Sequence, residues 1–452
     1  MESYDVAVIG MGPGGEHVAG TLAERGLRVL GIDNGLVGGE CPYWGCIPSK
    51  MMIRAANALA EARRVAQLAG SIADVQPDWA PVARRIREEA TDNWDDRVAV
   101  ERFVGKGGTF VRGKGRLTGP GRVDVDGVSY ALTRGVVVAT GSKPAIPPIA
   151  GLDQVPFWTN HEAVETKELP ASMIVLGGGA IGCELAQVFA RFGVQVSVVE
   201  AAGHLLPMEE PEAGELLLGV FESEGMHVHV GMTARRVDSD GAGVAVELDS
   251  GLVLHAERLL VATGRRADPA AAGLDTVGVD PSSRVAPIDE RCRVADGVWA
   301  VGDITGQGAF THVAMYQADI VIRDILGEGG PAADYRALPR VTFTDPEVGS
   351  VGLTEQQARE RLTSVSVGST NVPDTARGWI HKVGNEGLIK LIADADRGVL
   401  VGATAMGPTG GEVLGALTVA VHAQVPLDTL RSMIYAYPTF HRGIEDALRG
   451  LS

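Results

Sequence analysis

In the run GGECPYWGCIPSK, residues 38–50, Cys41 and Cys46 stand five positions apart. Two thiols at short range are the raw material of thiol–disulfide exchange, in which a thiolate attacks a sulfur and electrons move in pairs. Along an ideal helix five residues rise about 7.5 Å, more than the ~4.4–6.8 Å that a disulfide leaves between Cα atoms. Bridging the pair therefore calls for an irregular backbone, which Pro42 and Gly45 favour. A bond constrained in that way is easily reduced. After Pro48 the text SKMMIRAANALAEARR reads as a helix, so Cys46 falls near a helix N-terminus. The dipole there and the nearby Lys50 both lower a thiol pKa. The plain alternative, two core thiols with no redox role, is weakened by what flanks them.

Those flanks are two copies of one pattern. Residues 5–33 read strand, glycine-rich turn, helix, strand, and residues 173–200 read the same way. Each copy fits G-x-G-x-x-G, at Gly10, Gly12 and Gly15 (with Gly14 between) and at Gly177, Gly179 and Gly182. Each places an acid 18 residues past the third glycine, Asp33 and Glu200. The first glycine permits the tight turn, the second lets backbone amides approach a pyrophosphate, and the third lets helix and strand pack closely. The helix N-terminus favours the anion, and the acid suits ribose hydroxyls. A single match is weak evidence; two, each after an apolar strand and before a helix, predict two dinucleotides on one chain.

The elements around these turns outline an α/β protein: two Rossmann-like dinucleotide-binding domains followed by an α+β domain. Two V-A-T-G runs, with Thr140 and Gly141 in the first and Gly264 in the second, end further strands, and GVWAVGDITG ends another at Gly302-Asp303. The Pro-rich PAIPPIAGLD marks a crossing. The expected division is 1–150 completed by 272–335, then 151–271, then 336–452. At 452 residues and 45% hydrophobic the chain can bury a large core. Its formal charge of −17 disfavours nucleic acid and anionic membranes as partners. Sixty glycines exceed the roughly 7% of average proteins. Four cysteines are too few for a secreted disulfide scaffold. No signal-peptide pattern or span of ~18 apolar residues is present, so a cytoplasmic protein is expected. No residue set reads as a resident metal site.

Taken together, GMGPGG, CPYWGCIPSK, VVVATGSKP, GGGAIGCE, VATGRR, VGDITG and TFTDPEVGSVGLTE resemble the class I pyridine nucleotide–disulfide oxidoreductases, which include dihydrolipoamide dehydrogenase, glutathione reductase and mercuric reductase. The resemblance covers essentially the whole chain. It implies FAD on the first unit, a nicotinamide dinucleotide on the second, and a C-terminal domain that forms a homodimer with a small-molecule substrate at its interface. It further implies that Gly10, Gly12, Gly14, Gly15 and Asp33 hold the FAD adenosine and pyrophosphate, that Asp303 meets the ribitol, and that His312 lies near the flavin pyrimidine edge. Cys46 becomes the flavin-proximal thiol and Cys41 the interchange thiol, while Lys50 paired with Glu184 sits near flavin N5. Glu200 suits the free 2′-hydroxyl of NAD and repels a 2′-phosphate. The following EAAGHLLP contains neither Arg nor Lys, so NAD is favoured over NADP.

The sequence departs from the family near its end. Disulfide reductases carry a motif like H-P-T-x-S-E, whose His is the general base; here YAYPTFHRGIEDAL puts Tyr437 in that place and Arg442 in the Glu position. A phenol with pKa ~10 is a poor base at pH 7. If the segment is helical, His441 shares a face with Tyr437 and is a candidate substitute. Mercuric reductase also has Tyr there, but it uses a C-terminal cysteine pair, whereas this chain ends RGLS. Tyr43 and Trp44 also replace its usual V-N-V between the active-site cysteines. The leading expectation is transfer from NADH through FAD and the cysteine pair to a small disulfide or thiol-reactive compound. The alternatives are a quinone, dye or metal-ion reductase, a docking component of a 2-oxoacid dehydrogenase assembly, and a redox sensor. Cys183 and Cys292 read as packing residues.

Overall fold

The computed structural model describes residues 2–241 and 243–451. The chain divides into two compact units. The first comprises residues up to Pro48, Arg84–Ala145 and Arg265–Asp334. Its sheet has strand Ser3–Ile9 flanked by Val29–Asp33 and Val128–Val138, both parallel to it, with Thr109–Arg112 beyond one side and Val298–Ala300 beyond the other. The first strand thus lies where the order of connections reverses, the position at which open α/β sheets bind ligands beyond their strand ends. Its alternate residues Val6 and Val8 pack under the helix Pro13–Glu24, while Ala7 and Ile9 face the opposite layer with Leu30 and Val138. Both faces are buried, which is why these strands read as continuous Val/Ile/Leu runs.

The second unit comprises Ser49–Ala83, Ile146–Gly264 and residues from Tyr335 onward. It holds a four-stranded parallel sheet in the order His227–Val230, Gln195–Glu200, Ser172–Leu176, Arg258–Val261, so the strand before the second glycine turn again lies at the reversal. A three-stranded antiparallel sheet, Ala234–Ser239, Val244–Leu248 and Val253–Ala256, accompanies it. After residue 338 the order is a five-stranded antiparallel sheet with the long helix Gly410–His422 packed on it. Ile389, Leu391, Ala403 and Ala405 of its strands meet Val413, Leu414 and Leu417 of that helix. The fold is the expected α/β class, with Rossmann-like sheets and an α+β C-terminal part. Among the described residues no helix is long and apolar enough to cross a membrane.

Candidate functional site

The cysteine pair sits where two helices fail to join. A single helical turn, Glu40–Tyr43, stops at Trp44, and the 23-residue helix Cys46–Leu68 begins two residues later. Gly45 permits this break: a Cβ there would lie 3.1 Å from the Glu40 carbonyl oxygen and 3.2 Å from the Cys41 Cα. The irregular backbone expected from Pro42 and Gly45 is this interruption. Tyr43, buried beneath it, donates its hydroxyl to the Val37 carbonyl at 3.2 Å and packs on Trp44, with ring centroids 5.8 Å apart.

Both cysteines are thiols in the structure. The Cys41 thiol is pushed well above its ordinary range, first because it shares its proton with the Cys46 sulfur and second because it is buried, with Thr311 opposing the shift. The Cys46 Sγ lies 3.4 Å from Oγ1 of Thr311, the first residue of the helix Thr311–Leu326. One sulfur thus stands at the start of its own helix and against the start of another, and the positive end of each dipole favours a thiolate.

The two glycine turns are built alike. Gly10 and Gly177 have φ of +95° and +106°, and a Cβ on either would sit 2.3 or 2.4 Å from the carbonyl oxygen of Ala139 or Ala262. Side chains at Gly15 and Gly182 would collide with the carbonyls of Gly10 and Gly177 at 2.0 and 1.9 Å. Gly12 and Gly179 instead face open space. Each is the N-cap of the following helix, and neither helix start carries a side-chain cap. First-turn amides with no side-chain partner beside an open glycine are what a pyrophosphate needs, so both cradles fit a dinucleotide. The acids behave alike too. Asp33 accepts the amides of Met11 (2.6 Å) and Gly35 (2.7 Å); Glu200 accepts those of Gly178 (2.6 Å) and Ala202 (2.7 Å). Each thereby stands at its own glycine turn.

In the first unit Gly14 packs against Ala314 of the helix Thr311–Leu326. Thr140 and Gly141 follow the strand Val128–Val138, and Gly302 follows Val298–Ala300. Asp303 opens a short turn there and accepts the Ser142 hydroxyl at 2.5 Å. Arg265 donates to the Ser142 hydroxyl and carbonyl at 2.8 and 2.7 Å and lies 3.5 Å from Glu40. Gln317, wholly buried, accepts the Gly302 amide at 2.7 Å and fixes that strand end. His312, exposed at the same helix start as Thr311, stacks on Phe310 at 5.2 Å.

In the second unit Lys50 and Glu184 form a direct pair, Nζ to Oε2 2.9 Å. The other Glu184 oxygen accepts the Phe343 amide at 2.8 Å, and the Lys50 ammonium lies 4.7 Å from the Phe343 ring centroid. Further along the same helix, Gln187 bonds both the amide and carbonyl of Asp345, and Arg191 bonds the Asp345 carboxylate, Glu224 and Asn57. Residues 184, 187 and 191 share a helix face, so the TFTDP run is bolted to the helix that carries Glu184. Gly264 follows the strand Arg258–Val261 with open space at its Cα.

Residues 4–318 match the pyridine nucleotide-disulphide oxidoreductase family, and residues 338–448 match its dimerisation domain. The chain belongs to this family. Its members use FAD and NAD(H). A dihydrolipoyl dehydrogenase of Chlorobaculum tepidum is 34% identical, the match covering 98% of this chain and 96% of the relative. A mercuric reductase of Streptomyces lividans is 32% identical, over 98% and 95%. Among solved structures, the HOCl-induced flavoprotein disulfide reductase RclA from Escherichia coli superposes with a TM-score of 0.85 at 27% identity over 99% of both chains.

Against this family background the C-terminal segment differs from the sequence reading. Tyr437 and His441 do not share a helical face: Tyr437 precedes the N-cap Thr439, and a short 3₁₀ turn begins only at Phe440. The residue before a proline is disfavoured in the helical region, and Pro438 follows Tyr437. Both side chains are exposed, and the Arg442 guanidinium lies 5.5 Å over the Tyr437 ring. Cys183 packs as expected, fully buried and donating to the Gly178 carbonyl at 3.1 Å. Sequence reasoning missed Thr311, Ser142, Arg265 and Phe343. Ser142, Arg265 and Phe343 lie within quoted motifs and Thr311 adjoins His312, but the role of each depends on a contact with a residue more than a hundred positions away.

Proposed function

We propose that this protein is a homodimeric, NADH-dependent flavoprotein reductase in the cytoplasm, whose Cys41–Cys46 pair passes electrons to a small disulfide or other thiol-reactive acceptor. In this reading 1–150 with 272–335 hold FAD, 151–271 hold NADH, and 336–452 form the dimer interface. The single observation that carries it is the placement of Cys46 at the start of its own helix, five residues after Cys41, with its Sγ 3.4 Å from Thr311 at the start of another helix. Bound FAD supplies the two-electron exchange that links a reduced nicotinamide to the dithiol.

The chain's own residues account for the rest. Cys41 releases its proton, its sulfur attacks one sulfur of the acceptor disulfide, and the first thiol leaves as that S–S bond breaks. That first thiol takes up the proton Cys41 released; Cys46 then gives up its own proton and attacks the Cys41 sulfur, the mixed disulfide breaks, and the second thiol leaves with that proton. Two protein thiols become one disulfide while one small disulfide becomes two thiols. Glu184 holds Lys50 beside the helix start. Exposed Ile434 (96%), Trp379 (73%) and Tyr437 (69%) on the dimerisation domain support pairing with a second copy.

Substituting Cys41→Ser tests the reading. Turnover with a small disulfide should fall at least about a hundredfold while flavin reduction by NADH persists. Disulfide turnover within about twofold of wild type would overturn it. A second reading, reduction of a thiophilic metal ion, rests on Tyr437 at the base position and on the mercuric reductase relatives; RclA itself has been solved as a Cu(II) complex. In that case Tyr437→Phe lowers metal-dependent turnover and Tyr437→His does not raise disulfide turnover.

A further inference from the structure

The loop after Glu200, residues 201–210, carries no regular structure yet is held along its length. The Leu206 amide donates to the Gly178 carbonyl at 2.8 Å, inside the second glycine turn. The Leu205 side chain occupies the space a Cβ on Gly178 would need, its Cδ2 2.7 Å from that position. At the far end Glu209 makes a two-point ion pair with Arg340, both contacts 2.9 Å. Glu210, 2% exposed, accepts Lys390 Nζ at 2.8 Å and the Glu355 amide at 2.6 Å. Lys390, itself 4% exposed on the strand Leu388–Asp394, also pairs with Glu212 (2.7 Å) and Glu355 (2.8 Å). These three carboxylates are the only acidic cluster with metal-ligand spacing among the described residues, and the lysine ammonium stands at their centre.

Leu206 supplies an independent sign that the loop is under load. Its φ is +52°, a left-handed conformation that a bulky side chain adopts only where the surroundings over-determine it. The contacts that do so are the hydrogen bond to Gly178 on one side and the Arg340 and Lys390 ion pairs on the other. The Leu206 carbonyl also accepts the Glu209 amide at 2.9 Å, which joins the strained residue directly to the Arg340 anchor.

We propose that Arg340 and Lys390 are positioning residues for the dinucleotide turn: acting through Glu209 and Glu210, they press the 201–210 loop onto Gly178 and so fix Glu200 where it meets the ribose. The inference rests on the reading that this second turn takes NADH. Both cations act through Glu209 and Glu210, so the effect falls on binding rather than on the rate once NADH is bound.

The test uses the FAD-loaded enzyme under anaerobic conditions, with flavin reduction followed against NADH concentration. Arg340→Met should raise the half-saturating NADH concentration about tenfold and leave the limiting rate within about twofold; Arg340→Lys, which keeps one ion pair, should recover part of the loss. NAD⁺ should raise the melting temperature of the wild type more than that of Arg340→Met. Lys390→Met alone leaves Glu210 buried and uncompensated, so the paired change Lys390→Met with Glu210→Gln is used, with the same expected weakening. Unchanged NADH saturation and NAD⁺ shift in Arg340→Met, or a loss confined to the limiting rate, would overturn the proposal. Glu200→Ala separates the two levels. If it weakens NADH while Arg340→Met does not, the positioning role alone fails; if neither does, the NADH assignment of this turn fails with it.

Discussion

The two glycine turns share one backbone solution, but the loops beside them are anchored from different places. Beside the first, Gly14 lies against Ala314, and the loop after Asp33 is held by Asp96, which accepts the Val37 amide, and by Arg112, which bonds Asp96 and the Gly35 carbonyl. Around the second, the covering loop is held by Arg340 and Lys390 through carboxylates. The first loop's anchors come from its own unit, Arg112 on the strand Thr109–Arg112 and Asp96 before the helix Arg97–Gly105, whereas the second loop's come from the strands Pro339–Thr342 and Leu388–Asp394 of the C-terminal part.

The largest test of that contrast substitutes matching glycines. Gly15→Ala and Gly182→Ala each drive a Cβ to about the same distance from a carbonyl, 2.0 and 1.9 Å, and each should cost about 1–3 kcal/mol in urea unfolding. Function should separate them: Gly15→Ala loses its flavin absorbance after desalting, whereas Gly182→Ala keeps it and is no longer reduced by NADH. Flavin loss from both would remove the distinction.

A smaller effect is expected at the acids. Asp33→Ala should weaken FAD retention with little change in NADH saturation, and Glu200→Ala the reverse, each by about tenfold. Glu200→Arg should also narrow the preference for NADH over NADPH, read from the ratio of kcat/KM values.

The proton shared by the sulfurs gives a prediction in pH. The Cys41 thiol is raised chiefly by its bond to Cys46, so in reduced enzyme its alkylation by iodoacetamide should gain speed only above the ordinary thiol range. In Cys46→Ala that cause is gone and the alkylation profile should move to lower pH. The smallest change is expected from Thr311→Val, which removes one hydrogen bond to Cys46 and should slow disulfide turnover by a few-fold, about 1 kcal/mol.

What the sequence made legible was local. The glycine turns, their acids at fixed distance, and the break between Cys41 and Cys46 follow from spacing and from residues with special backbone needs. The Lys50–Glu184 pair lies 134 residues apart and was reached only through resemblance, since no periodicity links the two positions. Thr311, Arg265 and Phe343 stayed hidden for the same reason: an ordinary side chain or amide becomes functional only when the fold delivers it to a distant partner. The condition under which Tyr437 and His441 would share a face, a helix through both, is not met, and Pro438 with the Thr439 cap shows where the signal lay.

The central claim is that Cys46 is the thiol that meets the bound flavin and Cys41 the one that meets the acceptor. Anaerobic titration of the FAD-loaded protein with NADH tests it most directly. Wild type should develop a long-wavelength thiolate–flavin absorbance band, Cys41→Ser should show it even before reduction, and Cys46→Ser should lack it throughout. A wild type without the band, or a band that survives Cys46→Ser, would contradict the account.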